Sequence, residues 1–157
     1  SAGSASLREH KKSMEGPINE HKDCTKNIAI LTIGPIGNDA QKAIEEIEQE
    51  GKYTGRIALY DMRFLKPIDE NILEEVGKNF SEIITIEDGV INGGLGTTVI
   101  EWLNEHNKNI HVQRLGLPDH FIEQGTVAEL RELCGFDKYS IKQEIEKRLL
   151  ATYTNKI

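Results

Sequence analysis

From Ile28 onward, apolar runs and amphipathic stretches take turns along the chain. Ile28-Ala29-Ile30-Leu31-Thr32-Ile33 is almost wholly apolar and stops at Gly34, which predicts a strand buried on both faces. Over residues 38–50, Ala40, Ala43, Ile44 and Ile47 recur at helical spacing, and Gly51 ends the pattern. Ile57-Ala58-Leu59-Tyr60 predicts a second strand. Asp69 is placed to cap a short helix with Ile72, Leu73 and Val76 on its inner face. Ile83-Ile84-Thr85-Ile86 predicts a third strand. A glycine-rich turn then leads to a helix carrying Leu95, Val99, Trp102 and Leu103. Ile110-His111-Val112-Gln113-Arg114-Leu115 alternates enough to predict a fourth strand with one wetter face. Thr126-Val127-Ala128-Glu129 is a capping box for a helix ending near Cys134 and Gly135. Ser140-Ile141-Lys142-Gln143 is a second capping box, for a helix with Ile141, Ile145 and Leu149 inward.

Strands alternating with helices predict an α/β fold, a three-layer αβα sandwich with a mostly parallel sheet. The domain is expected over residues 27–157. Residues 1–26 differ: Ser1-Ala2-Gly3-Ser4-Ala5-Ser6 is linker-like, and the stretch that follows is polar with few apolar anchors. A flexible tail is expected there.

Composition narrows the function. At 157 residues the chain is the size of one domain with a real core. Its 38% hydrophobic and 29% charged residues suit a soluble globular protein. A net charge of -7 argues against a nucleic-acid backbone or an anionic membrane as partner. No apolar run approaches bilayer-spanning length, and the N-terminus has no signal-peptide core. Cys24 and Cys134 form no paired motif, so neither a disulfide framework nor a metal site is expected, and a reducing cytoplasm is the natural compartment.

Four clusters carry candidate chemistry. Gly93-Gly94-Leu95-Gly96 lies between a strand and a helix, where free N–H groups and the helix dipole favour an anion. It is neither a dinucleotide fingerprint nor a P-loop, and a tight packing turn is the plainer reading. Glu87 and Asp88 stand at the third strand's exit, where open α/β sheets place ligands. They have the types of an acid–base or metal pair, but no third partner stands at a fixed spacing, so an interface or structural role is favoured. Asp61 and Arg63 alternate along what reads as an extended segment, so their side chains share one side and can pair. Asp119, His120 and Phe121 occupy a polar loop with an apolar anchor, the profile of an interface. That loop and the helix bearing Trp102 are expected to form an apolar patch that drives self-association. The remaining histidines show no ligand spacing. No catalytic, cofactor-binding or metal-binding residue is assigned.

Three segments together carry a resemblance: Tyr60-Asp61-Met62-Arg63-Phe64-Leu65-Lys66-Pro67-Ile68-Asp69, Glu87-Asp88-Gly89-Val90-Ile91-Asn92-Gly93-Gly94-Leu95-Gly96, and Gly116-Leu117-Pro118-Asp119-His120-Phe121-Ile122-Glu123-Gln124-Gly125-Thr126. In this order and spacing they resemble the C-terminal domain of the 1-deoxy-D-xylulose-5-phosphate synthase family, a thiamine-diphosphate-dependent branch of the transketolase-like enzymes. The resemblance runs from about Ile28 to Leu150. It implies a mixed sheet with one antiparallel strand. It also implies a parent transferase that condenses pyruvate with glyceraldehyde 3-phosphate, using thiamine diphosphate and magnesium held by preceding catalytic domains of the same polypeptide. This domain would then be a non-catalytic buttress of a cytoplasmic homodimer. The Gly-Asp-Gly…Asn motif that holds such a cofactor is not matched, since position 87 is Glu and no Asn falls between Ile110 and Thr154. Two alternatives stay open: the C-terminal domain of a transketolase or of a 2-oxo acid dehydrogenase β subunit, and a stand-alone ligand-binding α/β domain.

Overall fold

The computed structural model describes residues 28–51, 53–119 and 125–154. The expected flexible tail, and His120 and Phe121, lie outside those residues. The chain builds β1 (Ile28–Ile33), α1 (Ile36–Gln49), β2 (Ile57–Asp61), α2 (Glu70–Asn79), β3 (Glu82–Val90), α3 (Leu95–Glu105), β4 (His111–Leu117), α4 (Val127–Cys134) and α5 (Lys138–Thr154). The strands form one sheet in the order β2-β1-β3-β4, every pair parallel. Among the described residues no antiparallel strand accompanies them, unlike the mixed sheet that the resemblance implies.

Strand alternation sorts the core into two layers. Ile28, Ile30, Ile57, Leu59, Ile84 and Ile86 face α1 and α5, meeting Ile44, Ile47, Phe136, Ile141, Ile145 and Leu149. Ala29, Leu31, Ala58, Tyr60 and Ile83 face α2 and α3, meeting Leu73, Val76, Leu95, Val99 and Trp102. Each fully buried aliphatic side chain contributes about 1.5–3 kcal/mol relative to exposure. β4 is only half-buried along most of its length, as its mixed sequence predicts. Trp102 is a core residue, and its Nε1 donates to Glu70 at 3.3 Å. It therefore adds nothing to the apolar surface patch expected of its helix.

Charged side chains fasten α5 to its neighbours. Lys138 reaches Glu46 of α1 and Lys142 reaches Glu50 at its C-cap, each at 2.6 Å. Arg148 donates to Glu82 of β3 at 3.3 Å and to Gln113 of β4 at 2.6 Å.

Two ends differ from the sequence reading. β3 runs on to Val90 through an irregular register after Ile86, so Glu87 and Asp88 belong to the strand rather than following it. α5 begins at Lys138, with Asp137 accepting from the Ser140 N–H at 3.1 Å. Ser140 lies inside the helix because Asp137, which follows the buried Phe136, takes the capping role expected of it.

Candidate functional site

The described residues among those the sequence predicts gather at the carboxyl ends of the strands. Glu87 and Asp88 sit side by side, and strand alternation sends them to opposite faces. Glu87 turns toward α3. Its Oε1 accepts the Leu95 N–H at 3.1 Å and its Oε2 the Gly96 N–H at 3.2 Å. The helix start that the sequence offers to an external anion is thus occupied by the chain's own carboxylate. Around it, the Gly93 N–H donates to Thr97 Oγ1 at 3.0 Å and the Gly94 N–H to the Ile91 carbonyl at 3.5 Å. All four N–H groups of the expected anion site are engaged within the chain, which corrects that expectation. Glu87 is 5% exposed. Its burial pushes the carboxyl above the usual glutamate range, against the opposing pull of the Gly96 and Leu95 N–H groups and the Arg114 charge.

The turn needs its glycines for space. A Cβ on Gly96 would fall 2.5 Å from the Arg114 side chain, and one on Gly116 would fall 2.6 Å from Ile91. Arg114, on β4, closes this side by donating to Thr97 at 3.2 Å and to Asn92 at 3.3 Å. Asn92 in turn donates to Asp119, the last described residue before the expected interface loop.

Asp88 turns the other way. Its Oδ2 accepts the Ile36 N–H at 3.0 Å and so caps α1, whose own N-cap residue, Pro35, has no side-chain cap. Its Oδ1 takes two donors from Arg131 of α4, at 2.7 and 2.9 Å, while Arg131 also reaches Asp39 at 3.2 Å. α4 has no fully buried residue; this fork and the packing of Cys134 against the core tie it to the sheet. Arg114, Arg131 and Asp39 escape sequence reasoning. Their partners lie 17 to 92 residues away, and no local pattern marks them.

Asp61 and Arg63 do pair, at 3.5 Å. The extended segment assumed for them is not what joins them. Arg63 has φ +48°, and the Phe64 N–H donates to the Met62 carbonyl, a γ-turn centred on Arg63. Asp61 Oδ1 accepts the Arg63 N–H at 3.1 Å and holds that turn.

Asp61 with Arg63, Glu87 with Arg114, Asn92 and Asp119, and Asp88 with Arg131 thus form three networks rather than one reaction centre. Among the described residues no group of three His, Cys, Asp or Glu side chains converges on a metal position, and no helix is long and apolar enough to cross a membrane.

Comparison with known proteins places this geometry. The family described as "Transketolase, C-terminal domain" matches residues 16–141. A 1-deoxy-D-xylulose-5-phosphate synthase of Bacteroides thetaiotaomicron is 52% identical over 124 residues, which is 78% of this chain and 19% of that protein. The synthase of Parabacteroides distasonis is 48% identical over 121 residues, 77% of this chain and 19% of its own length. That of Bacillus licheniformis is 38% identical over 117 residues, 74% and 18%. Among solved structures, one described as "Split gene transketolase, inactive beta4 tetramer" superposes with a TM-score of 0.69 at 30% identity, covering 80% of this chain and 40% of that one. The chain spans about a fifth of the length of the curated relatives it matches. With a parallel sheet between two helical layers and the family's match over most of its length, the chain belongs to the transketolase C-terminal domain family.

Proposed function

We propose that this chain is the C-terminal domain of a 1-deoxy-D-xylulose-5-phosphate synthase. The parent transferase condenses pyruvate with glyceraldehyde 3-phosphate, with loss of carbon dioxide, using thiamine diphosphate and magnesium. The product serves isoprenoid, thiamine and pyridoxal synthesis. The single observation that carries this reading is the 52% identity over 124 residues to a protein of that name. The lower 30% identity to the transketolase structure favours the synthase over the wider family.

In this reading residues 27–157 form the domain, and residues 1–26 lead into it from the preceding catalytic domains. Its work is to buttress those domains in a cytoplasmic homodimer, with Asp119, His120 and Phe121 on the interface. The described residues do not fit thiamine diphosphate. The helix start that would take a diphosphate holds Glu87, and Asp88 is committed to Ile36 and Arg131. No catalytic step is therefore assigned to this chain.

Assay of the full-length polypeptide for deoxyxylulose phosphate tests the activity. Calorimetric titration of the 157-residue chain with thiamine diphosphate and magnesium tests the division of labour. Micromolar cofactor binding by this chain alone would overturn the non-catalytic assignment. Sedimentation equilibrium of the wild-type chain and Phe121→Asp tests self-association.

A further inference from the structure

The described phenylalanines are buried with one exception. Phe80 and Phe136 lie in the core, whereas Phe64 is 64% exposed at the carboxyl end of the edge strand β2. It is held outward by its neighbours. Met62 is buried on one side of it, and Leu65 and Ile68 pack against the same layer on the other. The chain passes between these anchors through the γ-turn at Arg63, a conformation that costs an L-residue energy and is found where function demands it. About half of the Arg63 side chain stays exposed. Its Nε faces Asp61, while its terminal nitrogens have no hydrogen bond among the described residues. Beside the turn lies a cleft of about 430 Å³ lined by residues from Asp61 to Ile72. Of the other exposed large apolar residues among those described, Ile100, Val127, Leu133, Tyr139 and Leu150 sit on helices, and Val90 ends β3.

We propose that Arg63 and Phe64 form the docking point of this domain on the preceding part of the same polypeptide. This rests on the reading above, since relatives at 45–52% identity carry about four-fifths of their length outside the matched segment. The complementary surface is an apolar socket for the ring beside a carboxylate for the guanidinium. An aromatic side chain and an arginine on a preset backbone are the makings of an interface hot spot, because little freedom is lost on docking.

The test compares the 157-residue chain with the full-length polypeptide by amide exchange over residues 61–68. Exchange about tenfold or more slower in the full-length polypeptide is expected. Phe64→Asp should return it to the rate of the shorter chain. Arg63→Gly separates docking from folding. Glycine relieves the positive φ, so the thermal midpoint of the 157-residue chain should hold or rise while protection in the full-length polypeptide falls. Equal exchange in the two wild-type proteins overturns the proposal. So does protection that appears in the shorter chain as its concentration rises, which would assign the surface to a second copy. Synthesis of deoxyxylulose phosphate is read in parallel. Its absence sinks the functional reading, whereas activity with unprotected residues 61–68 sinks only the docking.

Discussion

A Cβ placed on Gly94 would lie 1.9 Å from the Oε1 of Glu87, closer than packed atoms tolerate. The glycine leaves the space in which that carboxylate reaches the first N–H groups of α3. Gly94→Ala should therefore expel Glu87 and strand both donors. A loss of about 2–4 kcal/mol is expected from overpacking and unmade bonds to a charged group. Urea unfolding at constant slope measures it, and a loss under about 0.5 kcal/mol would show that the turn relaxes without the carboxylate.

Titration of the same carboxyl has a sign that sets it apart. Burial raises the folded value of Glu87 above its ordinary 4.5, so the folded protein binds its proton more tightly than the unfolded chain does. The stability this adds is full below that ordinary value and lost as pH rises through the raised folded value. Glu46 has the opposite sign, because the hydrogen bond from Lys138 lowers its folded value. Its contribution is present above 4.5 and lost as pH falls through the lowered value. Carbon-detected NMR titration should find Glu87 above and Glu46 below the ordinary glutamate value of 4.5. Glu87→Gln should flatten the decline of stability with pH above 4.5. An unchanged slope in that variant would refute the assignment.

The tie between Arg131 and Asp88 should govern α4 alone. Arg131→Ala removes donors to Asp88 and Asp39 from a helix with no buried residue. Opening of residues 127–134 should become easier by about 1–2 kcal/mol, discounted for partial exposure, while exchange in the strands stays unchanged. Global destabilisation of the same size in β1 and β3 would mean that α4 belongs to the cooperative core.

Thr85 and Thr32 are nearly inaccessible, yet their hydroxyl oxygens have no hydrogen-bond partner among the described residues. A buried hydroxyl without a partner costs free energy that a methyl group does not. Thr85→Val should therefore be neutral or stabilising by up to about 1 kcal/mol, read from the thermal midpoint. A clear loss would reveal a partner for that oxygen.

The sequence by itself determined the layers of this protein. Strand runs such as Ile28–Ile33 and helix faces such as Ala40, Ala43, Ile44 and Ile47 are local periodicities, and burial follows them directly. Caps within one turn, Asp69 and Thr126, were legible for the same reason. The tertiary structure alone decided where Glu87 and Asp88 go, because the course of β3 beyond Ile86 sends neighbouring carboxylates to different helices. It also decided that Arg114 and Arg131 complete those networks, that Trp102 turns inward and that Arg63 lies in a γ-turn. Periodicity records which face of an element is apolar. It holds no record of which distant group that face meets, and at the carboxyl edge of this sheet such meetings set the contacts of Glu87, Asp88, Arg114 and Arg131.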